Sequence, residues 1–182
     1  TKLWAEGAFS EKRGYPRTVT LHEQRLIFGG TKDKPLTVWG SVVDDFENFR
    51  FSSNDDGAFS FSLSSNESNP INWMVSQTSL LVGTAGSEWT LAASDSAQVL
   101  SPTNVQAKPQ SSFGSKYLQA RLVNEVVVFT QRNGRKVREL TYSFEKDGWV
   151  APDLTILAEH ITRGELLETA FQQQPDAIFW GI

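Results

Sequence analysis

Four phrases along this chain share one pattern, in which a short polar lead runs into an apolar stretch. They are His22-Glu-Gln-Arg-Leu-Ile-Phe28, Ser76-Gln-Thr-Ser-Leu-Leu-Val82, Val123-Asn-Glu-Val-Val-Val128 and Gln173-Gln-Pro-Asp-Ala-Ile-Phe179. Aligned on their apolar runs, Leu26, Leu80, Val126 and Ile178 fall in register at intervals of 54, 46 and 52 residues. Self-similarity at this period is the signature of repeated sheet modules, and propeller blades have about this length. In the first three copies the apolar run leads through a turn into another strand. Residues 30–35 precede Thr37-Val-Trp-Gly40, Thr84-Ala-Gly86 precedes Glu88-Trp-Thr-Leu91, and Asn133-Gly134 precedes Lys136-Val-Arg-Glu-Leu-Thr-Tyr142. An Asn-Gly pair between alternating strands supplies the positive φ angles of a tight hairpin.

A further strand is predicted before each phrase, over residues 17–21, 71–75, 117–123 and 166–171, several of which alternate apolar with polar side chains. A fourth is predicted from residues 46–51, 97–100 and 148–151, and four strands per module is the composition of a propeller blade. The expected fold class is all-β and β-propeller-like, with about three to four antiparallel modules. They lie near residues 15–52, 70–101, 117–151 and 164–182 of a single region, 1–182. One segment departs from this pattern. After Pro152, Asp153 is placed to cap a short helix over residues 153–162, in which Leu154, Leu157, Ala158 and Ile161 recur at helical spacing and Gly164 is the stop.

The composition narrows the classes of function. The apolar fraction of 39% is that of an ordinary globular chain. No apolar run approaches the roughly 20 residues needed to cross a bilayer, so no membrane anchor is expected. Absence of cysteine removes disulfides and thiolate metal sites, which fits a reducing cytosol and equally a particle assembled there. A net charge of −4 argues against tight sequence-independent nucleic-acid binding, because that affinity comes from Lys and Arg neutralising phosphates. The basic cluster Arg132-Asn-Gly-Arg-Lys136 is expected to be solvated at a hairpin tip. The chain opens at Thr1 and closes within an apparent module, so it is expected to be a piece of a longer protein. Alternatively, residues 2–10 help to complete the last module.

Chemistry-bearing motifs are sparse. There is no Gly-x-Ser-x-Gly elbow, and Phe28-Gly-Gly-Thr-Lys32 lacks the spacing of a phosphate loop. The histidines, His22 and His160, each neighbour a glutamate, Glu23 and Glu159. Adjacent strand residues point to opposite faces, so His22 and Glu23 are not expected to converge, and both histidines are expected in hydrogen-bonded structural roles. Ser53-Asn-Asp-Asp-Gly-Ala-Phe59 resembles the Asp-box turn of sialidase-type propellers, with Ser60 where that motif has tryptophan. Six tryptophans invite comparison with sugar-stacking platforms, but Trp39, Trp73 and Trp89 lie among apolar strand residues and are expected in the core. The stretch 101–115 reads either as a partner-contacting arm, with Ser101, Thr103, Lys108, Gln110 and Ser112 as candidate contacts, or as an irregular outer strand. No catalytic residue, cofactor or metal site is expected.

A resemblance emerges from the longer phrases. Gly14-Tyr-Pro-Arg-Thr-Val-Thr-Leu-His-Glu-Gln-Arg-Leu-Ile-Phe-Gly-Gly-Thr31, then Pro35-Leu-Thr-Val-Trp-Gly-Ser41 and Asp45-Phe-Glu-Asn-Phe49, resembles the tail nozzle proteins of short-tailed bacteriophages, also called tail tubular protein B or stabilisation protein. Ile71-Asn-Trp-Met74, Leu81-Val-Gly-Thr84 with Ser87-Glu-Trp-Thr90, Leu154-Thr-Ile-Leu-Ala-Glu-His160, and Gln172-Gln-Gln-Pro-Asp176 with Ile178-Phe-Trp180 are similar to the same family in the same order. The resemblance marks Tyr15, Pro16, His22, Glu23, Gln24, Arg25, Trp39 and Trp89 as family-motif residues of structural role. It implies a non-enzymatic virion tail component, encoded by a phage or prophage and assembled in the host bacterial cytoplasm. Its implied partners are further copies of itself in a ring, a tail adaptor, and tail fibre or spike proteins, with DNA passing through without specific binding. The competing expectations are a carbohydrate-binding propeller module and, behind it, a glycosidase-like propeller.

Overall fold

The computed structural model describes residues 7–52, 54–95 and 98–182. Among these residues the chain forms fourteen strands and no helix. The first sheet takes β1 (Thr18–His22), β2 (Arg25–Gly29), β3 (Thr37–Gly40) and β4 (Phe59–Ser62) in chain order. The second takes β5 (Ile71–Ser76), β6 (Leu80–Thr84), β7 (Glu88–Ala93) and β8 (Val105–Ser111), and the third β9 (Arg121–Val123), β10 (Val126–Thr130), β11 (Val137–Ser143) and β12 (Gly148–Val150). A two-stranded sheet of β13 (Thr169–Gln172) and β14 (Ile178–Gly181) follows. Every pairing between these strands is antiparallel, so the architecture is all-β with propeller-like blades.

Each sheet packs on the next, and the alternation of side chains along a strand divides its residues between two cores. Ile27, Val38 and Phe59 of the first sheet meet Met74, Leu80, Val82, Trp89 and Leu91 of the second. The other face of the second sheet sends Trp73, Val75 and Leu81 against Val127, Phe129 and Leu140 of the third. Val128 and Val137, on the far side of the third sheet, pack with Leu166 and Phe179. Both middle sheets are thus covered on two sides, which explains why Leu80-Leu81-Val82 and Val126-Val127-Val128-Phe129 are continuous apolar runs. A bulge between Ile71 and Trp73 changes the parity of β5, so that Ile71 and Met74 serve the first core while Trp73 and Val75 serve the second. Trp73 pairs with Gly83, where an added Cβ would lie 2.1 Å from the indole, so only glycine lets that ring lie across β6. Trp39, Trp73 and Trp89 are all buried, as the sequence predicts.

The ends of this row are less covered. On the outward face of the first sheet, Phe28 packs with Phe49 and Phe9, and Phe9 packs edge-on against Trp39, while Val19 and Leu21 stay exposed. At the other end the two-stranded sheet leaves Ile178, Trp180 and Ile182 exposed.

Several predicted elements move. The segment 153–162 is not a helix but a chain of turns closed by i to i+3 bonds, from Ala158 N–H to Thr155 C=O and from Ile161 N–H to Ala158 C=O. Asp153 does not start a helix: its carboxylate accepts from both the N–H and the hydroxyl of Thr155, and Leu154 N–H is taken by Val137 C=O. The helical stripe has no surface to cover, since Leu154, Leu157 and Ile161 are exposed, Leu157 by 93%. The fourth strand of the first module is β4 rather than 46–51, which is a turn and irregular chain ending in an isolated bridge at Phe51, and that of the second is β8 rather than 97–100, of which Ala97 lies outside the described residues. The fourth module has two strands, the number the sequence predicts for it. The expected strand over 117–123 shortens to β9. In the Asn-Gly turn only Gly134 takes positive φ, at 76°, and Asn133 instead accepts from the N–H groups of Arg135 and Lys136. The connection is a four-residue loop, in which Gln131 N–H reaches Lys136 C=O at 2.8 Å. The N-terminal residues 1–6, with Trp4, lie outside the described residues.

Candidate functional site

The most densely bonded point of the motif residues is the β1–β2 turn. His22 pairs with Arg25, so Glu23 and Gln24 form a two-residue hairpin turn, with φ of 47° and 60°. Both residues occupy the left-handed region without being glycine, which costs energy that neighbouring contacts must offset. Each residue of the turn secures a different segment. His22 is buried with Nδ1 2.8 Å from Ser76 Oγ on β5. Glu23 accepts from Leu100 N–H at 2.6 Å, and Gln24 C=O accepts from Asp44 N–H at 2.9 Å. The tight turn also brings Glu23 back toward its neighbour, 3.9 Å from His22 Nε2, which corrects the expectation that they diverge. Burial pushes the His22 pKa down, and the Glu23 carboxylate partly opposes that.

Arg25 organises the acidic loop before β4. Its guanidinium is fully buried and donates to the carbonyls of Ser41 and Gly57 at 2.6 Å, of Asp55 at 2.6 Å and of Asp56 at 3.3 Å. The ring of Phe59 lies 5.7 Å from its carbon. Burial lowers its pKa, with Asp56 and Glu23 countering. The segment resembling an Asp-box is therefore shaped by a buried arginine gripping backbone oxygens, while Asp55 and Asp56 are exposed. Ser53 of that segment lies outside the described residues.

Of the other motif residues, Trp39 and Trp89 belong to the cores, Tyr15 is 65% exposed, and Pro16 is half-buried. The stretch 101–115 contains β8, the outer strand, with Lys108 and Gln110 on it. Gln110 donates to Thr90 Oγ1 at 2.8 Å. Ser101 is buried in a turn closed by Asn104 Oδ1, Thr103 donates to Asp55 Oδ1 at 2.9 Å, and Ser112 is exposed beyond the strand. Ser101, Lys108 and Gln110 are thus bound into the second sheet and its turns, while Thr103 ties it to the loop before β4. His160 is exposed on the 153–162 turns and makes no hydrogen bond among the described residues, contrary to the role expected for it.

A charged residue the sequence reading passed over is Glu88, at the start of β7. It is completely buried, accepting from Ser111 Oγ and, at 2.8 Å, from Ser115 Oγ. Burial raises its pKa, and these hydroxyls with the N–H groups of Phe113 and Gly114 act in the opposite sense. The signal was a lone carboxylate inside an apolar strand, facing a Ser- and Gly-rich link. That link crosses from the second sheet to the third, where Ser115 C=O also accepts from the buried amide of Asn72 at 2.8 Å.

Two clefts, the first mostly polar and the second of mixed lining, open along the boundary of the second and third sheets, near where β8 and β12 approach. One, of about 630 Å³, runs beside Thr90, Gln106, Lys108 and Gln110, and the other, of about 720 Å³, beside Gln77, Asn124 and Glu125. Thr78, Ser79, Tyr142 and Trp149 line both. A third groove of about 630 Å³ is apolar, bounded by Val126, Val128, Leu154, Ile161, Ile178 and Trp180. Among the described residues no three His, Asp or Glu side chains gather as metal ligands would. Compared with known proteins, the chain matches no protein-family model and no curated protein sequence.

Proposed function

We propose that this chain is a structural module of a short-tailed phage tail, part of the nozzle through which DNA leaves the particle. The observation that carries the reading is the row of sheets joined face to face, whose two terminal faces keep apolar side chains exposed. A stack of this kind is rigid along its length and adhesive at its ends, which suits a part that is completed by neighbours. Its motif residues support the same role, because His22, Glu23 and Arg25 lock turns and blades together. Neighbouring copies, an adaptor, and fibre or spike proteins are the partners of this reading. DNA would pass without being held, in keeping with the net charge of −4.

The test is to raise antibodies to the chain and apply them to phage particles purified from the source, by immunogold microscopy and mass spectrometry. Label on the tail below the capsid is expected. A chain missing from purified particles would overturn the proposal.

A further inference from the structure

We infer that the boundary between the second and third sheets carries a binding groove for a neutral, linear oligosaccharide, centred on Trp149. The two clefts there share Thr78, Ser79, Tyr142 and Trp149, so they adjoin as the two arms of a trough with the aromatic pair between them as its waist. Each cleft is in the range of about 300–1,000 Å³ usual for small-molecule sites, and two adjoining clefts give room for more than one sugar ring.

The waist is built rather than loose. Trp149 packs on the core shared by Trp73, Leu81 and Phe129, and Tyr142 meets it edge-on with ring centres 6.1 Å apart. Tyr142 donates its hydroxyl to Asp147, which fixes the second ring in turn. Rigid aromatic surface is what the apolar face of a pyranose needs, since little side-chain freedom remains to be lost on binding. Around this pair the trough offers hydroxyls and primary amides, among them Thr78, Thr90, Gln106 and Gln110. Such groups both donate and accept, matching sugar hydroxyls that do the same.

Charge selects within the glycans. Among the described residues Glu23, Asp95 and Asp147 face the first cleft against one cation, Lys108, and Glu125 lines the second. That excess of acid disfavours sulfated, sialylated or phosphorylated chains and nucleic acid. The mostly polar lining of the first cleft offers few apolar anchors for a peptide, which the apolar groove beside β14 suits better. The inference is of binding, with the carboxylate of Glu23 held by Leu100 N–H and that of Asp147 by Tyr142. This inference stands apart from the tail reading, since a glycan groove and a scaffold role do not depend on each other.

The experiment is two-dimensional NMR of the whole chain titrated with neutral hexasaccharides of glucose, mannose and N-acetylglucosamine in α and β linkage. Sialylated and sulfated oligosaccharides and an unstructured peptide serve as comparisons. The expected result is a saturable shift of the Trp149 indole N–H and the Gln106 side-chain amide with at least one neutral chain. Trp149→Ala should weaken that binding about tenfold or more, the scale of a lost aromatic contact. Because Trp149 also touches the core, Gln106→Ala provides a second variant: Gln106 is exposed, and its replacement should weaken binding several-fold while leaving the melting temperature unchanged. The inference is overturned if no neutral chain shifts Trp149 at millimolar concentration. It is equally overturned if an acidic glycan or the peptide binds the trough more tightly, or if neither variant alters the affinity.

Discussion

The carboxylate of Glu23 accepts a hydrogen bond from the backbone N–H of Leu100 at 2.6 Å, across 77 residues of chain. A turn at the edge of the first sheet thereby holds a loop of the second, and Leu100, buried in the core between them, stays in place. Glu23→Ala should lose a charge-assisted bond and leave a peptide N–H unpaired, costing about 1.5–3 kcal/mol. Chemical denaturation measures the loss, and hydrogen exchange at Leu100 should accelerate more than exchange in β10. Equal acceleration at both sites would mean that Glu23 acts on global stability alone.

Arg25 should not tolerate lysine. Its planar fork reaches the carbonyls of Ser41, Asp55, Asp56 and Gly57 at once, and an ammonium on a flexible stem cannot reproduce that geometry. Arg25→Lys is expected to cost roughly 2–4 kcal/mol, because buried acceptors are left without donors. Thermal unfolding of the variant gives the number, and a melting temperature equal to that of the parent protein would refute the account.

Glu88 makes stability depend on pH in a defined direction. Its folded pKa is raised above the ordinary 4.5, so above 4.5 and up to the raised value the folded chain holds a proton that the unfolded chain has released. Stability should therefore fall as pH rises through that window. Glu88→Gln should remove this component of the slope, although it also places an amide donor against the N–H groups of Phe113 and Gly114. Denaturation midpoints of both proteins between pH 4 and 8 provide the check; identical slopes would contradict it.

Asp153 behaves in the opposite sense. Burial alone would raise its pKa, but hydrogen bonds from Lys136 and Thr155 outweigh that and hold it at about 2, against an ordinary 3.8. The stability it contributes is present above 3.8 and is lost as pH falls through about 2. Replacing Lys136 by methionine should move the carboxyl titration, followed by carbon NMR, back toward 3.8. An unchanged titration would show that Thr155 suffices.

The charge balance yields a prediction on DNA. At low ionic strength, where electrostatic attraction is strongest, the chain should pass through a DNA-cellulose column unretained. Retention that is released by salt would reveal a basic surface at odds with an unhindered conduit.

Strands whose apolar residues face two cores were readable from the chain, because β6 and β10 are uninterrupted apolar runs bounded by turn residues. Among the outer strands, β1 and β12 lie where the sequence predicts them, β8 lies within a stretch with two readings, and β4 is not predicted. β8 contains Pro109, tolerable at an edge where one side of the strand needs no partner, and the alternation Phe59-Ser-Phe-Ser62 of β4 is only four residues long. The 153–162 segment shows the reverse error: its spacing was helical, but periodicity says nothing about whether a surface exists to receive the stripe. At the β1–β2 turn the residues were marked while their geometry was not, since positive φ at Glu23 and Gln24 has no compositional signature. Trp149 joins Tyr142 across a pairing fixed only once β11 and β12 come together.

Each core joins only consecutive sheets, so cooperativity travels through this molecule as it does along a zipper. Fraying that begins at the two-stranded end must break the thinnest seam first and can halt at the next, leaving the blades nearer the amino terminus closed. Mechanical load applied along the row would accordingly be released in steps, with the middle seam, where Trp73 meets Phe129, among the last to open.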